Sequence, residues 1–373
     1  MAVPDDLLLA RDSWNIDRSE KNALTVQLAD ARLRLSATQS DLSASQVQVA
    51  SLLAQVASLE AALAECEGEP PPPPPPPPSA WRDPSGCWVI RQGYPYPATI
   101  TGLNDPGIVG FGPRIYVRDL LPASGQFNAA PLTEALNKAA SLGKKMKPRT
   151  IWGQYTPSFA IDRVGSDGAP IAGPKFFAAY RELAEHMATW AADKPSVPMV
   201  DQGWTSLNYS ELYWGPSVRA LISESQFIAD HKKLMDISLE VFGPLGIPVG
   251  FGLSGHGPIV NIVKGLSEHA LGKQGLYVQA NGFAPGGEWG GQLEPELDAL
   301  VWTKPLQFGL QDIHPANGGA RTTAQIDNMF NRAEALGVTY VENYPEQWLA
   351  QYNQAGALAR FKERLLAFDG TAA

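Results

Sequence analysis

A (β/α)8 barrel carried on a helical coiled-coil stalk is the architecture this 373-residue sequence predicts. Three observations predict it: a strict heptad over residues 24–66, an unbroken run of prolines from Pro70 to Pro78, and eight strand-like runs alternating with helical patterns after Trp81. The divisions expected are a stalk over 1–69, a spacer over 70–80 and a barrel over 81–373. The length suits two or three domains, and 44% hydrophobic residues supply a large core.

The stalk comes first. One seam is Leu28, Leu35, Leu42, Val49, Val56 and Leu63; the alternate seam is Leu24, Ala31, Thr38, Ser45, Leu52, Leu59 and Cys66. A helix lying on a globular surface follows a 3.6-residue period and drifts off a strict heptad over this length, so the register predicts a left-handed coiled coil that needs partner chains. At ~1.5 Å per residue the rod is roughly 65 Å long. The small and polar seam residues leave the number of strands open. Cys66 is read as a small seam residue, with an interchain disulfide as the alternative.

Nine prolines, Pro70 to Pro78, cannot continue the helix. They adopt polyproline II and act as a semi-rigid spacer of about 28 Å.

The barrel strands are expected at 87–93, 114–119, 145–153, 198–204, 247–253, 275–282, 306–312 and 338–344. Helical patterns separate most of them, clearest in "PLTEALNKAASLG", "KFFAAYRELAEHMATWAAD", "ISESQFIADHKKLMDISLEVFG" and "TTAQIDNMFNRAEALG". Eight such units over about 290 residues fit a closed barrel. An open doubly wound sheet is the alternative, and no glycine-rich nucleotide fingerprint follows a strand to support it.

Charge and composition exclude several classes. The net charge is −9, with no basic patch suited to nucleic acid or anionic membrane. Two cysteines and five scattered histidines offer no disulfide framework and no metal spacing, so neither metal nor cofactor is expected. No apolar run of ~18 residues predicts membrane insertion. The start, "MAVPDDLLLARDSW", lacks the pattern of a signal peptide.

In barrels of this kind the chemistry gathers where strands end. The expected ligand contacts are Arg118, Trp152, Trp204, Asn208, Trp214, Gln279, Asn281, Gln311 and Tyr344. Flat aromatic faces beside amides and carboxylates suit a sugar, whose C–H faces stack on rings while its hydroxyls need polar partners. Glu211, Asp312 and Glu342 are the candidate catalytic carboxylates.

The segment "IYVRDLLPASGQFNAAPLTEALNKAASLGKKMKPRTIWGQYTPSF" resembles the second-to-third strand region of β-galactosidase-like glycoside hydrolases. Arg118, Gly125, Phe127, Gly143, Lys144 and Pro157 carry that resemblance. It implies a general acid after strand four and a carboxylate nucleophile ending strand seven. Here Asn208 stands three residues before Glu211 rather than adjacent to it, and Gln311 occupies the nucleophile's place. Asp312 is its neighbour, and adjacent strand residues point to opposite faces. Binding without cleavage is therefore the expected activity, and hydrolysis of a surface polysaccharide the alternative.

The whole layout resembles phage minor tail proteins and tail fibres. That resemblance implies a homotrimer through residues 24–66, contacts with other tail proteins through the N-terminal region, a host surface saccharide as ligand, and a place in the virion tail after assembly in the host cytoplasm.

Overall fold

The computed structural model describes residues 80–203, 212–253, 255–256, 259–283, 307–312, 321–344 and 354–370, with Arg32 alone from the N-terminal part. The chain divides into two compact units, Met1–Pro74 and Pro75–Ala373. Apart from Arg32 and Ala80, the expected stalk and spacer lie outside the described residues.

Nine parallel strands close the barrel: β1 (Gly86–Gln92), β2 (Ile108–Tyr116), β3 (Lys145–Met146), β4 (Arg149–Ile151), β5 (Val200–Gln202), β6 (Val249–Gly252), β7 (Leu276–Phe283), β8 (Gln307–Asp312) and β9 (Tyr340–Asn343). β1 pairs in parallel with β9 on one side and with β2 on the other, which closes the sheet and rules out the open doubly wound alternative. β3 and β4 together form one staggered position, because both pair with β2. They are separated at Lys147–Pro148. Pro148 has no N–H to donate, but its carbonyl accepts from Asp201 N at 2.8 Å, so the break costs one ladder bond only.

Seven of the eight expected strands begin and end within two residues of their observed limits. The second does not. It was expected at 114–119 and runs from Ile108 to Tyr116, after which Val117–Leu120 turns helical (α1). The early half, "IVGFGP", carries glycines and a proline that read locally as loop signals. The glycines are there for close packing: a Cβ on Gly110 would lie 2.3 Å from the Trp88 ring.

Helices follow most strands: α2 (Ala130–Ala140) after β2, α3 (Pro174–Ala191) after β4, α4 (Glu224–Phe242) after β5, α5 (Val260–Ala270) after β6, α6 (Thr323–Ala335) after β8 and α7 (Ala357–Ala367) after β9. Their starts are chemically marked. Pro174 occupies the first turn of α3, the Ser223 hydroxyl accepts from Gln226 N, and Thr322 with Gln325 forms a capping box on α6. α3 turns Phe176, Tyr180, Leu183 and Met187 inward at helical spacing. These join the main core between barrel and helices. No helix among the described residues is long and apolar enough to cross a membrane.

The barrel interior is layered. Trp88, Met199, Tyr277 and Tyr340 form a separate apolar cluster. Room for it comes from inward glycines, since a Cβ on Gly309 would meet the Tyr340 ring at 2.2 Å. Trp88 satisfies its indole N–H on the Pro84 carbonyl at 2.9 Å. Above that cluster the interior turns polar.

Candidate functional site

The polar layer is built by alternation. Residues on one strand face in every second position, so Arg149, Asp201, Gln279 and Glu342 project into the barrel from β4, β5, β7 and β9. Lys147, in the gap before β4, joins them. Its ammonium donates to Asp201 at 2.6 Å and to Glu342 on the opposite wall. Arg149 donates to Asp201 at 2.7 Å and to the Gln279 carbonyl at 2.8 Å, and lies 3.1 Å from Glu342. Gln279 in turn donates its amide to Glu342 at 3.0 Å. Lys147 also sits 4.3 Å from the centre of the Tyr340 ring, which stabilises the buried cation further.

Burial raises the pKa of the Glu342 carboxyl, but the charges of Arg149, Lys147 and Arg114 outweigh it and hold that group down at about 2. Burial likewise disfavours the Arg149 cation, yet Glu342 and Asp201 move it above its ordinary value. Tyr340 is pushed well up, first by burial and then by Asp201 and Glu342. The layer sets the Lys147 and Arg149 cations against the carboxyl groups of Asp201 and Glu342.

The C-terminal rim lies above it. Arg114, 4% exposed and level with Arg149 by register, links the layer to the rim by lying over the Tyr344 ring at 5.2 Å. Two residues on, Tyr116 stacks on Tyr155 with ring centres 3.8 Å apart and planes 18° apart. Tyr155 comes from the 3-10 turn Gly153–Tyr155 after β4. Arg118, exposed on α1, lies over Tyr155 at 4.8 Å and near Tyr116 at 5.7 Å. The rim therefore presents tyrosine rings and guanidinium donors together.

The expected site residues divide accordingly. Arg118 and Tyr344 stand at the rim, although Arg118 is on a helical turn and not on the strand. Gln279 and Glu342 are enclosed in the polar layer, and Glu342 is 1% exposed and committed to two cations. That corrects the expectation of Glu342 as an open catalytic carboxylate and of Gln279 as a ligand contact. Trp152 and Trp214 are also corrected. Trp152 is 0% exposed and packs on Phe176 and Tyr180 of α3, while Trp214 is buried against Phe227 of α4. Both pack against side chains of the surrounding helices. Trp204, Asn208 and Glu211 lie outside the described residues. The backbones of Asn281, Gln311 and Asp312 are described and their side chains are not: Gln311 pairs in register with Glu342 and Asn281 with Gln311, while Asp312 pairs with Phe283.

Sequence reasoning missed Lys147, Arg149, Asp201, Arg114 and Tyr116. A signal was present: in "KMKPR" a cation recurs at every second position of a buried strand, and Asp201 interrupts an apolar one. Among the described residues no group of three or more potential metal ligands gathers.

No family model matches the chain, and no curated protein matches it. Solved structures do. The endoglucanase Cel5A of Pseudomonas stutzeri is 12% identical over 78% of this chain and 99% of its own, with a TM-score of 0.50. The exo-β-1,4-mannosidase Op5Man5 from Opitutaceae bacterium strain TAV5 is 14% identical over 78% of this chain, with a TM-score of 0.48. The β-galactosidase of Marinomonas ef1 is 12% identical over 75% of this chain, also at 0.48. This chain spans 61% of the mannosidase and 59% of the β-galactosidase. The structural neighbours are glycoside hydrolase barrels, and at such identities the likeness establishes the (β/α)8 fold.

Proposed function

We propose that this barrel is a saccharide-binding head, borne on an oligomeric stalk as the receptor-binding part of a phage tail. The observation that carries the binding reading is the Tyr116–Tyr155 stack with Arg118 above it at the C-terminal rim. Tyrosine rings offer apolar area to sugar C–H faces, and guanidinium groups donate to hydroxyl or acidic oxygens. The stalk and tail placement rest on the heptad of 24–66 and the proline run. Three heads on one stalk gain avidity over one without any new contact.

Hydrolysis is the second reading, favoured by the fold shared with an endoglucanase. It needs two carboxylates across the scissile bond, about 5–5.5 Å apart for retention or 6.5–9.5 Å for inversion. Glu342 is a poor member of such a pair, because two cations hold it in the enclosed layer. Glu211 and Asp312 are the remaining candidates.

One experiment separates the two. Host cell-wall glycan is incubated with wild type and with Glu211→Gln, and both bound protein and newly released reducing ends are measured. Binding by both proteins with no release by either supports the binding head. Release by wild type that is lost in the variant establishes the hydrolase, and failure of both proteins to bind removes both readings.

A further inference from the structure

The charges of the barrel are not evenly committed. Asp201 and Glu342, the carboxylates of the polar layer, are consumed by Lys147 and Arg149. Arg118 is different. It makes no hydrogen bond or salt bridge with any described residue; beyond the nearby charge of Asp119, its described contacts are the two tyrosine rings. An exposed arginine is ordinarily solvated and mobile, and ordering it costs rotamer entropy. Here the Tyr116–Tyr155 stack holds the guanidinium at the rim, so part of that cost is met before any ligand arrives.

A supported guanidinium keeps its in-plane N–H fork. That fork matches the paired oxygens of a carboxylate or phosphate, and it is a weaker match for a single sugar hydroxyl. The nearest carboxylate in sequence, Asp119, is half-buried and feels the Arg118 charge, but no hydrogen bond or salt bridge joins the two. The chain as a whole carries −9, so a negative ligand gains nothing from general attraction and needs a local cation.

We propose that Arg118 is a specificity determinant that recognises an acidic substituent, a carboxylate or a phosphate, on the bound saccharide. This rests on the saccharide-binding reading above and deepens it from sugar to acidic sugar.

The test is calorimetric titration of the full chain with two matched probe pairs: a galacturonate trimer against its methyl ester, and glucose 6-phosphate against glucose. The wild type is expected to bind one acidic probe about tenfold tighter than its neutral partner. Arg118→Gln is expected to lose that preference, so that the acidic and neutral members of each pair bind equally, and Arg118→Lys to keep only part of it. Preference in the first pair assigns a uronate and in the second a phosphate; either supports the proposal. Equal affinity within both pairs overturns it and leaves saccharide binding intact. A preference that survives in Arg118→Gln also overturns it. Binding of no probe removes this proposal, and absence of glycan binding in the cell-wall assay would then remove the parent reading as well. Arg118 is exposed, so thermal melts of both variants are expected to match the wild type and check that the comparison is between folded proteins.

Discussion

The ammonium of Lys147 stands 2.6 Å from the carboxylate of Asp201, with both side chains enclosed by the barrel wall. Lys147 bridges to Glu342 at the same time, so one cation ties together the strands of residues 200–202 and 340–343. Breaking such a pair strands a charge in the interior, which costs more than the pair itself contributes. Lys147→Met is therefore expected to destabilise the barrel by about 3 to 5 kcal/mol. Denaturant unfolding at neutral pH measures this. A loss below about 1 kcal/mol would show that water reaches the layer and screens it.

Acid should act on the same layer. The folded pKa of Glu342 is about 2, below its ordinary value of 4.5. Its contribution is therefore fully present above pH 4.5 and is lost as pH falls toward 2. Glu342→Gln is expected to be less stable at neutral pH, with a flatter stability curve between those limits. Equal acid slopes in the two proteins would refute the assignment.

His231 adds a second acid-sensitive window. Burial holds it down to about 4, and its Nδ1 donates to the Phe227 carbonyl at 2.7 Å. The unfolded chain binds a proton near pH 6.5, where the folded protein does not, so stability falls as pH drops from 6.5 to about 4. His231→Gln should flatten that segment alone. Unfolding midpoints taken at several pH values between 4 and 7 distinguish it from the Glu342 effect.

Trp152 and Tyr155 stand three residues apart and should behave oppositely. Trp152→Ala empties a site in the core against α3 and is expected to cost about 3 to 5 kcal/mol of stability. Tyr155→Ala removes a half-exposed ring of the rim stack and is expected to cost little stability but roughly tenfold in glycan affinity. Thermal melts and glycan titrations of both variants check the pair. Unchanged glycan binding by Tyr155→Ala would take the rim stack out of the site.

The stalk makes its own prediction. The full chain has a mass of 40.1 kDa, and light scattering is expected to return three times that value. Deleting residues 1–69 should return a monomer that still binds glycan, with lower avidity. A monomeric full chain would refute the heptad reading.

Much of the barrel was legible in the sequence because each strand and helix is a local pattern. Apolar alternation, capping residues and terminal glycines lie within a few positions of one another, as at Thr322–Gln325. The second strand was misplaced because Gly110 and Gly112 act as breakers locally. Their use appears only when the Trp88 ring is set against Gly110. The site was less legible. Trp152 reads as a ligand platform until the pleat turns it toward Phe176 and Tyr180. Glu342 reads as a catalytic candidate until barrel closure brings it to Lys147, 195 residues earlier in the chain.

By itself, then, the sequence determined the eight-fold alternation and the heptad pattern, since both are periodicities of neighbouring residues. Only the tertiary structure decided which polar residues are spent on one another inside the barrel and which are left at the rim. Charge neutralisation depends on distance in space, and barrel closure is what carries Glu342 across to face Lys147 and Arg149.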